Sequence, residues 1–159
     1  MTSDYLLKPI RGRLELVRDI SVKAGPAFRL ESVFTTAKEL SVTVFALHRE
    51  PNGNLLIDAV SDNVCLLIGH TTESISGRSP DSLLSQVAKA DPFKANSTTL
   101  GPGQDATCFP VFEHKNGTKL ECIMMLIRRL TPDAESQNSF IALVIRAPNS
   151  DLVGGPPES

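Results

Sequence analysis

Two short apolar runs, Val42 to Leu47 and Leu55 to Val60, flank Pro51-Asn52-Gly53, and the pattern predicts a β-hairpin closed by a strong turn signal. Ahead of it, Leu30, Val33, Phe34, Ala37 and Leu40 fall at helical spacing after the Gly25-Pro26 break. They predict an amphipathic helix of about three turns. Residues 1–24 admit two readings: Leu14, Leu16, Ile20 and Val22 alternate as in a strand, while Leu14, Val17 and Arg18 also suit a helix.

Beyond the hairpin the pattern turns helical. Ser61 or Asp62 can cap a helix opening at Asn63, Gly69 and Gly77 suit helix ends that need positive φ, and Ser79-Pro80 is a favoured helix start. Helical turns are expected through Leu67, Ile75 and Leu83 to Ala90, until Asp91-Pro92 and the Ser97 to Gly103 stretch break the pattern. Thr107 to Phe112 and Leu120 to Ile127, on either side of His114-Lys115-Asn116-Gly117, predict a second hairpin. A polar loop from Arg128 to Ser139 leads to a last strand, Phe140 to Arg146.

The late strands are apolar on both sides. Cys122, Met124 and Leu126 share one face and Ile123, Met125 and Ile127 the other; Ala142 and Val144 oppose Ile141, Leu143 and Ile145. One face should pack on the crossover helices, so the other needs a cover, supplied by the helix through Leu30 to Leu40 or by a partner subunit. The fold class is therefore α+β: a five-stranded antiparallel sheet with a helical crossover on one face and an N-terminal flanking helix.

Composition narrows the function. A chain of 159 residues, 41% hydrophobic, suffices for one domain with a real core. We divide it into an extension with the flanking helix (1–41), the domain (42–147) and a flexible Gly/Pro/Ser-rich tail or linker (148–159). A net charge of -2 and pI near 5.9 offer no footprint for nucleic acid, and no apolar run approaches a membrane span. Without a signal-peptide pattern the chain reads as intracellular, cytoplasmic or nuclear. Cys65, Cys108 and Cys122 lack paired spacing and are expected to be buried thiols rather than a disulfide or zinc set. No Gly-x-Ser-x-Gly, His-Glu-x-x-His or phosphate-loop motif occurs, and Pro102 spoils Gly101-Pro102-Gly103 as a phosphate cradle, so no catalytic residues and no metal site are assigned.

The stretch from Ile57 to Leu84 resembles the centre of a PAS domain. Ser61, Gly69, Thr71 to Glu73, and Gly77 with Arg78 stand where that family has a polar cap, a Gly, a Thr-x-Glu helix start and Gly-Arg. The Lys115-Asn116-Gly117 turn is similar to the family's Lys-Asp-Gly turn, and the likeness covers about residues 42–147. The resemblance implies a sensory and interaction module of a sensor histidine kinase or transcriptional regulator. Its partners would be a second copy, another PAS domain or a small apolar ligand.

Cofactors known in the family are tested by residue. Flavin-binding light-oxygen-voltage members carry Gly-x-Asn-Cys-Arg-Phe-Leu-Gln, whereas residues 77–84 here read Gly-Arg-Ser-Pro-Asp-Ser-Leu-Leu. Pro80 replaces the photoreactive Cys, Asp81 the phosphate-binding Arg and Leu84 the Gln, which excludes a flavin–thiol adduct there. A haem-ligating His is missing from Leu83 to Asn96, and His48, His70 and His114 read as solvent-facing. Ser61, Asn63, Ile68 and Gly69 resemble the local pattern of phytochrome N-terminal PAS domains, but no bilin motif accompanies them; the lone Tyr5 disfavours a photoactive-yellow-protein chromophore. Cavity candidates are Phe45, Leu67, Leu84, Val87, Met124, Leu126 and Val144. Interface candidates are Leu30, Val33, Phe34, Ala37, Ile123, Met125, Ile127, Ile141, Leu143 and Ile145. A redox sensor built on Cys65 or Cys108 would require an accessible thiol of low pKa.

Overall fold

A computed structural model describes residues 12–18, 30–85, 92–129 and 139–147. The helices are α1 (12–18), α2 (Leu30–Glu39), α3 (Val64–Ile68), α4 (Thr72–Ile75), a 3₁₀ turn (Pro80–Leu83) and α5 (Pro92–Thr99). The strands are β1 (Thr43–Arg49), β2 (Leu55–Val60), β3 (Asp105–Cys108), β4 (Val111–Glu113), β5 (Lys119–Arg128) and β6 (Ser139–Arg146). All pairings are antiparallel, in the order β2-β1-β6-β5-β3, with β4 also on β5. The first hairpin, the helical turns from α3 to the 3₁₀ turn and the last strand lie where the pattern predicts them; residues 86–90 of the expected crossover lie outside the described residues, and the open segment at the N-terminus is helical over 12–18.

Both faces of the sheet are buried. Phe45, Ile57, Met124, Leu126, Ala142 and Val144 point into an inner core beneath α3, α4, the 3₁₀ turn and α5. Val44, Ile123, Met125, Ile127, Ile141, Leu143 and Ile145 form an outer core closed by α1 through Leu14 and Val17 and by α2 through Val33 and Ala37. The period of two along β5 and β6 thus distributes successive residues between two cores.

The structure corrects several details. The expected strand Thr107 to Phe112 is two strands, because Pro110 has no N–H for the ladder and instead its carbonyl accepts from Cys122 N at 3.0 Å. Phe109, displaced at this break, is exposed. The expected break at Asp91-Pro92 and Ser97 is occupied by α5, whose start at Pro92 suits a residue lacking an N–H. Ser61 does not cap α3: it is buried, its Oγ accepts from Val44 N at 2.9 Å and donates to Asn63 Oδ1 at 2.5 Å. Asn63 Nδ2 in turn donates to Val42 O at 3.0 Å, so these residues tie the start of β1 to α3. Thr71 does cap α4, accepting from Ser74 N at 3.2 Å.

A bulge marks the first hairpin. Ala46 pairs with Ala59 and Leu47 with Ile57, which leaves Asp58 as the extra residue of β2. The free edge of β2 is covered by the Gly77-Arg78 loop: Ile57 N donates to Arg78 O at 2.9 Å and Gly77 N to Ile57 O at 2.8 Å. Gly77 takes φ +85° to make this approach, a conformation costly for any residue with a Cβ.

Candidate functional site

Of the cavity candidates, Phe45, Leu84, Met124, Leu126 and Val144 share the inner core, and Leu67 packs against it. Val87 lies outside the described residues. Phe45 stacks on Phe112 with ring centroids 6.2 Å apart, and Phe93 meets Phe112 edge-on at 6.3 Å. Packing across the inner core thus brings together rings from β1, β4 and α5, a contact that no local pattern announces.

The interface candidates of β5 and β6 and of α2 meet in the outer core. Ile123, Met125, Ile127, Ile141, Leu143 and Ile145 are buried together with Val33 and Ala37, and Phe34 packs on them half-buried. The side chain of Leu30 lies outside the described residues. The cover is fastened at its ends: Arg13 Nη1 donates to Leu40 O at 2.8 Å, Arg18 approaches Asp105 at 3.5 Å, and Lys38 pairs with Asp62 at 3.1 Å. Each of these polar contacts is partly exposed and adds little energy, but together they fix where the helices lie.

A cleft lies apart from the expected inner-face site. The β4–β5 turn folds back on the end of α3, where Lys115 N donates to Ile68 O at 2.8 Å. The His114 ring lies against Gly69, where a Cβ would come within 2.6 Å of the ring. Gly69 therefore serves both as the left-handed helix end, at φ +79°, and as the space for the imidazole. Beside this contact a cleft of about 290 Å³ is lined by His70, Arg78, Asp81, Ser82, Leu84, Glu113, His114 and Lys115. Only Leu84 among these is a predicted site residue. The Gly-Arg and Lys-Asn-Gly motifs were visible in the sequence as turn chemistry, but their meeting is tertiary.

The histidines are not simply solvent-facing. His48 is held between Asp58, at 2.5 Å from Nδ1, and Glu50, at 2.7 Å from Nε2. Burial pulls its pKa down, but hydrogen bonds and charge from Glu50 and Asp58 outweigh that, and the pKa is raised. His70 is shifted the other way, by burial and by the positive charge of Arg78, Lys115 and His114. Of the cysteines, Cys122 is buried as expected, whereas Cys108 is half-buried and Cys65 is exposed on α3. Burial pushes Cys108 up to about 11 and Cys122 up to about 12, Arg146 slightly offsetting the latter. A raised pKa at a half-buried thiol argues against a redox role for Cys108.

Pro80 is buried at the first position of the 3₁₀ turn, and Asp81 accepts a hydrogen bond from Ser79. No thiol stands at this position to add to a flavin, so the residues do not fit that chemistry. Among the described residues, no three His, Cys, Asp or Glu side chains are grouped to hold a metal ion, and no helix is long and apolar enough to cross a membrane.

No protein-family model and no curated protein sequence matches the chain. Solved structures do resemble it. The PAS domain of an HTR-like protein from Haloarcula marismortui matches with a TM-score of 0.56 at 14% identity, over 73% of this chain and 95% of the other. A LOV protein of Rhodobacter sphaeroides gives 0.57 at 11% identity, over 87% and 69%. A blue-light activated histidine kinase of Erythrobacter litoralis gives 0.54 at 12% identity, over 69% of this chain and 34% of the kinase. At these identities the likeness is one of fold, and the fold of this chain is that of the PAS domains.

Proposed function

We propose that this domain is a non-catalytic sensory and protein-interaction module of intracellular signal transduction, carried by a kinase or a transcriptional regulator, and that it works by repacking. The supporting observation is that one sheet serves two cores. Met124 and Leu126 pack inward while their neighbours Met125 and Ile127 pack under the flanking helices. A small apolar ligand among the inner residues, or a partner on the domain, shifts these strands and so biases how α2 sits. The output is a population shift in the orientation of whatever α2 connects to. The neighbour that is a histidine kinase is consistent with such an output.

A ligand-free scaffold for homodimers or PAS–PAS heterodimers is the second reading. It is favoured by Phe45, Phe93 and Phe112, whose own rings occupy the inner face. Native mass spectrometry with an absorption spectrum on freshly purified protein separates the two. Added mass or a visible chromophore selects the sensor, and a clean apo dimer selects the scaffold. A ligand-free monomer at all concentrations overturns both.

A further inference from the structure

The cleft beside α3 gathers charge that the fold itself does not use. Arg78 and Lys115 project from different loops into its lining, both are exposed, and neither forms an ion pair with a described residue. His70 and His114 add two imidazoles. His114 Nδ1 accepts from Asn116 N at 3.1 Å, which assigns the proton of the neutral ring to Nε2 and leaves that nitrogen a donor.

Two carboxylates, Asp81 and Glu113, share the lining. At His70 the cations outweigh them, its pKa being lowered by burial and then by the positive charge of Arg78, Lys115 and His114. The His70 side of the cleft is therefore its positive side. Asp81 is further engaged by the Ser79 hydroxyl. The apolar member of the lining is Leu84, which also belongs to the inner core and whose backbone bridges to Phe112.

We propose that this cleft binds a small solute through one oxyanion group, a carboxylate or a phosphate monoester, gripped by Arg78 and Lys115 with the ring N–H groups of His70 and His114 as further donors. Charge-assisted hydrogen bonds of this kind are the strong ones, and arginine suits a planar or tetrahedral oxyanion by its forked donors. Asp81 and Glu113 disfavour polyanions and accept from a hydroxyl or amine on the same solute. The ligand is distinct from an apolar guest of the inner core, so this site stands or falls independently of the sensor reading. Because Leu84 belongs both to the cleft lining and to the inner core, occupancy acts on the inner core from outside.

The test is an NMR titration of the His70 and His114 ring protons with inorganic phosphate and, separately, with acetate, at constant ionic strength and at pH 6 and pH 8. A saturable His70 shift, stronger at pH 6 and accompanied by a rise in the His70 pKa, is the expected result. The more tightly bound anion then names the phosphate or the carboxylate class. Arg78→Ala and Lys115→Ala, both at exposed positions, should each weaken binding about tenfold. Linear, unsaturated shifts with both anions, or affinities unchanged in the two variants, overturn the site.

Discussion

The inner and outer cores share a sheet yet are built differently. Inside, large rings pack beneath short helices, with Phe45, Phe93, Phe112 and Phe140 all buried. Outside, Val, Ile, Leu, Met and Ala from four strand faces and two helices make an aliphatic layer, to which Phe34 adds a ring only at the margin. The difference teaches where each core gets its specificity. Two amphipathic helices over an alternating sheet need only matching periods, whereas the inner core depends on rings brought together from distant elements.

The largest test of that contrast is Phe112→Ala. The side chain is fully buried and touches two other rings, so its loss should cost about 3–5 kcal/mol in a urea unfolding measurement. A cost near that of a surface change would mean that the inner core has no ring cluster to lose. On the outer side, Ala37→Glu places a carboxylate where α2 meets the sheet with no exposure. About 3 kcal/mol of destabilisation is expected, with faster amide exchange in α2 and in the outer-facing strands. Phe34→Glu, at the half-buried margin, should act the same way more weakly, and an unchanged melting curve would refute α2 as the cover.

Between the cores, Asn63→Ala removes the bond to Val42 O and the acceptor for Ser61 Oγ. Both partners are buried, so a loss of about 1–3 kcal/mol is expected, and Asn63→Asp should not restore the donor to Val42. Thermal melting of the two variants decides this.

The smallest effect is at the His48 hairpin. With its pKa raised above 6.5, the cation clamped by Asp58 and Glu50 contributes its full stability below pH 6.5 and loses it as pH rises through the folded value. Because the groups are about a third or more exposed, the gain is at most about 1 kcal/mol. His48→Gln should flatten this part of the stability-against-pH curve between pH 6 and 8. An identical slope in the variant would assign the dependence elsewhere.

Legibility in the sequence follows the same division. The hairpins, the flanking helix and the two faces of β5 and β6 were legible because each rests on local turn chemistry or on a period of two or 3.6 residues. α5 reads as a break in the sequence because Pro92 and Ser97 are poor helix signals alone. Pro92 in fact opens the helix, while Ser97 is buried and its carbonyl receives Arg49 Nη1 at 2.8 Å. The split of β3 from β4 was present in Pro110 but hidden among β-forming neighbours. By residue type either Ser61 or Asp62 suits a cap, yet a buried hydroxyl takes whichever donor the tertiary fold brings, for Ser61 the Val44 N.

By itself, then, the sequence determined the first hairpin, the flanking helix α2 and the last strand, the alternation that gives this sheet two apolar faces, and the departure at Pro80 from a flavin-reactive motif. Only the tertiary structure decided that α1 joins α2 over the outer face, that Phe45, Phe93 and Phe112 meet, and that Gly69 receives His114 to shape a charged cleft. The physical reason is range. Propensity, capping and periodicity act within a few turns of chain, whereas a cleft between loops is fixed by strand pairing and packing across the whole sheet, which leave no periodic trace in the residues that line it.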